Sequence, residues 1–274
     1  MNIDLHTHIL PRTWPDLAAQ RAGGEQPYRE VPDICWNIKR RLEEMDKDDV
    51  GLHVLSTVPS TFHYGAKSEE VLNLTRILNS HLAASVGMNP KRFAALGTLP
   101  LQDPAMAVGE LKRCMTLLGL RGVEIGTSVN GRELGAPELF PVFAAAAELG
   151  AAILVHGSKD DSGPAVNSVA AAGIFTRLPG LRIAFSHGGG NFAKEHAGKF
   201  YADTLGLNAE EVKALVDLIG VEKVAFGSGF LFPEGEVHSG KLLAALPDLG
   251  AEANERLLSG TAFELLALTP DVYV

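Results

Sequence analysis

Short aliphatic or β-branched runs alternate with longer stretches of helical spacing along almost the whole chain, and this alternation restricts the fold more than any other feature. Strands are expected at 2–6, 50–56, 92–98, 121–126, 151–156, 181–187, 199–203 and 222–227. Between them, segments 36–47, 67–88, 103–118, 136–149, 165–178 and 208–219 carry apolar residues three and four apart. Asp103-Pro104 and Ala136-Pro137 supply helix starts, and Gly150 supplies a stop ahead of the fifth strand. Runs such as Ile153-Leu154-Val155 and Val224-Ala225-Phe226 are continuously apolar, as parallel strands buried on both faces require. Eight strands with helical crossovers predict an α/β fold, a (β/α)8 TIM barrel formed as a single domain over residues 1–274.

Two places break the rhythm. Residues 11–33 are irregular and rich in Pro, Gly and charge, which predicts a small flap after the first strand beside the site. Between His187 and the seventh strand lie little more than Gly188-Gly189-Gly190 and Asn191 to Gly198, too few residues for a full helix, so the sixth crossover is truncated. A net charge of −9, from 24 basic and 33 acidic residues, argues against a nucleic-acid or anionic-membrane surface. Cys35 and Cys114 form no recognisable pair, no apolar run is long enough to span a bilayer, and the N-terminus does not read as a signal peptide. A cytoplasmic protein acting on a small molecule is the expectation.

The chemistry lies in the histidines. His6 and His8 end the first strand two residues apart, a spacing that puts both imidazoles on one face. His156 ends the fifth strand and His187 the sixth. The C-terminal ends of barrel strands form the working face, so four histidines gather at one rim. One such histidine would simply cap its strand; four together point to a metal, with zinc favoured by nitrogen ligands and other divalent transition ions compatible. His53 falls mid-strand and reads as core, His63 as a loop residue, and His81, His196 and His238 as surface.

The segments Asp4-Leu5-His6-Thr7-His8-Ile9-Leu10-Pro11, Leu55-Ser56-Thr57-Val58-Pro59, Leu96-Gly97-Thr98-Leu99-Pro100, Val155-His156 and Ser186-His187-Gly188-Gly189-Gly190 resemble the amidohydrolase-related decarboxylase family over residues 1 to about 265. The resemblance implies a barrel of the metal-dependent-hydrolase type, usually with zinc, and a homodimer. It implies His6, His8 and His156 as metal ligands, and His187 as the general acid/base beside a metal-bound water.

The departures are equally specific. The family completes its metal site with an aspartate at the end of the eighth strand, and Gly229 stands there in Gly227-Ser228-Gly229-Phe230-Leu231-Phe232-Pro233. The stretch after His156 is a short polar run, Gly157 to Pro164, and Asn191–Gly198 lacks the arginine that the family places there. Arg29 is the arginine nearest the family's other substrate-binding position. Asp160, Asp161, Asp203, Glu195 and Glu234 are conceivable replacement ligands, although Asp203 reads better as a structural hydrogen-bond partner and the others as solvated charges. Lys159 and Lys194 are conceivable Schiff-base lysines but read as solvated. Two functional readings follow: a metal-dependent carboxy-lyase or hydrolase acting on a small unsaturated carboxylic acid, or a remodelled, even engineered, barrel scaffold without that activity.

Overall fold

A computed structural model of the chain describes residues 1–15, 17, 28–30, 33–230 and 243–273. Its main sheet has eight strands in sequential order: β1 (Asn2–His8), β2 (Val50–Ser56), β3 (Phe93–Gly97), β4 (Gly122–Gly126), β5 (Ala152–His156), β6 (Arg182–Phe185), β7 (Tyr201–Asp203) and β8 (Val224–Ala225). Every neighbouring pair is parallel. The segment after β8 returns to β1: Leu5 N donates to Phe226 O at 2.9 Å, Gly229 N to His6 O at 2.9 Å and His8 N to Phe230 O at 3.0 Å. The expected eight-stranded barrel is therefore present.

Most of the crossovers are helices with readable caps: α1 (Ile38–Lys47), α2 (Ser68–Met88), α3 (Pro104–Thr116), α4 (Phe140–Leu149), α5 (Lys159–Ala171), α6 (Ile174–Arg177) and α7 (Ala209–Ile219). Asn37 and Asp103 accept from the backbone amides of Arg40 and Met106, and Asn208 with Glu211 forms a reciprocal capping box. Helix α5 corrects the sequence reading. It starts at Lys159 rather than near 165, because Ser158 caps it and Asp160 and Asp161 occupy its first turn. Pro164 lies inside the helix, where it removes only one amide donor.

The sixth crossover contains two 3-10 turns, His187–Gly189 and Lys194–His196, as its shortness predicts. Gly188, Gly189 and Gly190 all have positive φ (68°, 77° and 59°), and a β-carbon on Gly190 would lie 2.5 Å from Lys159 O. This chain reversal packs against α5 through backbone, which only glycine permits. At the other irregular place, Thr13–Pro15 pairs antiparallel with Tyr28–Glu30, the strand bearing Arg29. Trp14 packs with Leu10, Leu17, Val71, Leu74 and Leu78, so the base of the expected flap is anchored on α2.

Strand alternation sorts the core into two layers. Ile153 and Val155 join Val142, Phe143, Val166 and Val169 beneath the helices. Ala152 and Leu154 join Ile3, Leu52, Val54, Ala94, Leu96 and Ala225 inside the barrel, with Ala262, Leu265 and Leu266 from the C-terminal segment. His156 continues this inward series by the two-residue period of a strand. β1 breaks the period. Its register with β2 slips between Asp4, opposite His53, and Thr7, opposite Leu55, so β1 carries one extra residue there. The slip lets Ile3 and Leu5 fill the interior while His6 and His8, of opposite parity, also turn inward.

Leu154, fully buried below His156, tests this packing. Leu154→Ala is expected to lower stability by about 2–5 kcal/mol, read as a lower urea midpoint at an unchanged denaturant slope.

Candidate metal centre

The inward-facing ends of β1 and β5 bring three histidines together. Ring centroids of His6 and His156 are 4.3 Å apart, those of His6 and His8 5.0 Å, and those of His8 and His156 5.2 Å. A fourth group joins them from β4. Glu124 pairs with Leu154, one inward rung below His156, and its longer side chain reaches the same point. One ligand atom each from His6, His8, Glu124 and His156 lie within 4.8 Å of one another, and all four residues are buried.

Each imidazole is held through Nδ1. Asp203 Oδ2 lies 2.6 Å from His6 Nδ1, Ser56 Oγ 3.1 Å from His8 Nδ1, and Glu124 Oε1 3.2 Å from His156 Nδ1. Ser56 spends its own proton on Thr7 O at 3.1 Å, so its oxygen accepts from His8. With Nδ1 protonated by this assignment, Nε2 carries the lone pair, as in metal-binding histidines oriented by an outer partner. His6 Nε2 and Glu124 Oε2 are buried and have no hydrogen-bond partner among the described residues. Such orphaned polar atoms are costly in a protein interior, and a cation would relieve them.

Electrostatics agree with ligand chemistry. Burial, and then neighbouring histidines, hold His6 and His8 well below the usual imidazole range, so both are neutral near pH 7. Burial opposes ionisation of Glu124, but His156, His8 and His6 outweigh it and keep its carboxyl below the usual range. Burial pushes Asp203 up to about 6, against the opposing effects of His187 and the amides it accepts.

His187 stands beside this group, its ring centroid 6.4 Å from that of His156. Its backbone amide donates to Asp203 Oδ1 at 2.8 Å, and its Nδ1 lies 3.0 Å from Leu205 O. A carbonyl only accepts, so Nδ1 carries hydrogen and Nε2 is left for proton exchange. Asp203 is thus the hydrogen-bond partner that the sequence suggests, not a stray carboxylate.

The other singled-out residues fall elsewhere. His53 is buried and its Nδ1 lies 3.1 Å from Arg41 Nη1, a core role as expected. Arg41 also donates to His8 O and lies over the Phe230 ring at 4.9 Å, bracing the rim from outside. His63 is a loop residue with positive φ. His81 and His196 are half-buried rather than surface residues: a backbone hydrogen bond with Leu10 anchors His81, and His196 Nδ1 is buried. Asp160, Asp161, Glu195 and Lys194 are exposed, and Lys159 pairs with Glu211 at 2.6 Å. Glu234 and His238 lie outside the described residues. Cys35 and Cys114 are both free thiols. Glu124 escaped the sequence reading, although an acid in a strand buried on both faces, Gly122-Val123-Glu124-Ile125-Gly126, is the available signal.

Gly229 is committed to the backbone. Its φ is +72°, its amide donates to His6 O, and a β-carbon there would meet Leu205 Cδ1 at 2.6 Å.

A sequence profile for the family described as Amidohydrolase matches residues 3–268. The chain belongs to this family. A 2-amino-3-carboxymuconate-6-semialdehyde decarboxylase of Dictyostelium discoideum is 35% identical, over 100% of this chain and 94% of its own length. That alignment has 336 positions for 274 residues, so the relative carries segments that this amidohydrolase lacks, in keeping with its short loops. Among solved structures, 2,6-dihydroxybenzoate decarboxylase from Rhizobium superposes with a TM-score of 0.83 at 18% identity, covering 97% of this chain and 98% of the other. A manganese-bound dihydroxybenzoic acid decarboxylase from Polaromonas gives 0.79 at 19%, covering 100% and 99%. These structural likenesses establish the shared barrel. The three imidazoles and one carboxylate of this amidohydrolase form a donor set suited to a divalent metal. Among the described residues no helix is long and apolar enough to cross a membrane.

The buried histidines make the metal-free protein acid-sensitive. His6, His8 and His53 are depressed below the ordinary value of 6.5, so the stability they confer is present above that value and lost as pH falls below it. Asp203, raised from 3.8 to about 6, acts oppositely: its contribution is present at low pH and lost as pH rises through about 6. Three groups against one predict a net loss of stability from about pH 7.5 to about pH 5, read as a falling urea midpoint in chelator. A flat profile would show that the rings are hydrated in the folded state.

Proposed function

We propose that this amidohydrolase releases CO2, without oxidation, from a small unsaturated or aromatic carboxylic acid. His6, His8 and His156 hold a divalent metal, zinc or another transition ion, and His187 is the general acid/base. The observation that carries this reading is the convergence of His6, His8 and His156 on one buried point with His187 at its side. The full-length likeness to a decarboxylase sets the reaction class.

Bound there, the cation supplies positive charge to hold substrate oxygens and to stabilise charge developing on them. Asp203 and Ser56 fix the rings of His6 and His8, and Asp203 and Leu205 fix His187 through its amide and its Nδ1. His187 delivers a proton to the substrate carbon that bears the carboxylate, forming the C–H bond. The bond from that carbon to the carboxylate then breaks, its electron pair restores the conjugated system, and CO2 leaves. His187 regains its proton from water. Asn191–Gly198 contains no arginine, which favours a monocarboxylate over a dicarboxylate.

The second reading, a barrel kept without the reaction, is favoured by Gly229 alone. Metal-loaded protein is expected to release CO2 from 2,6-dihydroxybenzoate or a related acid. His187→Asn should retain the metal while losing about 10²–10⁴-fold in turnover, and His6→Ala should lose the metal. Metal-replete wild-type protein that releases no CO2 from any such acid would select the scaffold reading. A homodimer is also inferred from the family resemblance, and sedimentation at micromolar concentration should show twice the chain mass.

A further inference from the structure

The metal-centre reading leaves the missing strand-eight carboxylate unexplained. We propose that Glu124 takes its place: the acidic ligand of this site has moved from the end of the eighth strand to the fourth, giving a three-histidine, one-glutamate centre. This rests on the metal-centre reading above.

Three observations carry the assignment. Position 229 offers no side chain, its backbone is left-handed, and Leu205 occupies the space a β-carbon would enter. The other buried acids at the rim are engaged. Asp203 uses Oδ2 for His6 Nδ1 and Oδ1 for the amides of His187 and Leu205, at 2.8 and 3.1 Å. Asp4 receives the Ser228 amide at 3.0 Å, the His6 amide at 3.2 Å and the Ser228 hydroxyl. Glu124 differs from both. One oxygen faces His156 Nδ1, the other is buried with no hydrogen-bond partner among the described residues, and the carboxylate places an oxygen within 4.8 Å of a ring nitrogen of each of the three histidines.

Charge gives the same answer. Three imidazoles bring no charge to a buried dication, and the Asp203 carboxylate meets it only through the His6 ring, whereas a coordinating carboxylate halves that charge, as the strand-eight aspartate would have done. The alternative is that Glu124 only orients His156 as an outer partner. Removing such a partner typically costs 10–100-fold in metal affinity and leaves the ligand set unchanged.

Cobalt(II) titration of the metal-free protein separates the two. Wild-type protein should bind one Co²⁺ per chain with a d–d spectrum. Glu124→Gln keeps an acceptor for His156 but loses the anionic ligand, so it should bind Co²⁺ more than about 100-fold weaker with an altered spectrum. Its metal-free form should keep the far-UV circular dichroism of metal-free wild type, so that weaker binding reads the loss of a ligand and not of the fold. Difference infrared spectroscopy provides an independent readout: on binding Co²⁺ the wild-type protein should show a shifted carboxylate stretch that is missing from Glu124→Gln. Loss within the outer-partner range, with an unchanged Glu124→Gln spectrum and no shift of the wild-type carboxylate stretch on Co²⁺ binding, would overturn the assignment and leave the three-histidine site standing. Wild-type protein that binds no Co²⁺ would overturn both.

Discussion

Asp203 holds the working end of this barrel together. Its two oxygens reach strands on either side: one takes the ring of His6 from β1, the other the backbone of His187 after β6. A carboxylate buried this deeply is unfavourable unless its lone pairs are used. Satisfying them fixes the tautomer of one histidine and the turn of the other. The chain then continues to Leu205, whose carbonyl takes the His187 ring. A three-residue stretch at the end of β7 thereby sets the rings of both His6 and His187.

The same logic extends around the mouth. Ser56, Glu124 and Asp203 each occupy the inner nitrogen of one histidine, so the remaining nitrogens are directed by elimination rather than by local backbone preference. Arg41 braces the outside of β1 at the carbonyl of His8, and burial lowers its pKa to about 9. The extra residue in β1 is what allows an apolar interior and two inward histidines to share one strand. Without it, Ile3 and Leu5 would face the helices whenever His6 and His8 faced the interior.

Much of this was legible in the sequence because the relevant signals are local. Strand periodicity located all eight barrel strands, and a histidine at the end of an apolar run is placed at the rim by the fold alone. The short sixth crossover was visible as a count of residues. What escaped depends on three dimensions. The start of α5 was hidden by Gly163 and Pro164, residues that normally break helices but here follow a strong serine cap. Glu124 was passed over because a lone acid in a strand acquires meaning only when the neighbouring strand's register sets it beneath His156. His81 looked like a surface residue because its backbone anchor, Leu10, is remote in sequence.

The sequential, parallel pairing of the strands has a wider consequence. Every strand offers inward rungs at neighbouring heights, and side chains of different length reach one point from different rungs, as glutamate below His156 does. The mouth therefore works as a ring of sockets around a common centre. A coordinating group can disappear from one socket and arise in another by single substitutions, with no strand moved. Descent within such barrels is then better traced by the chemistry gathered at the centre than by the fate of any one aligned position.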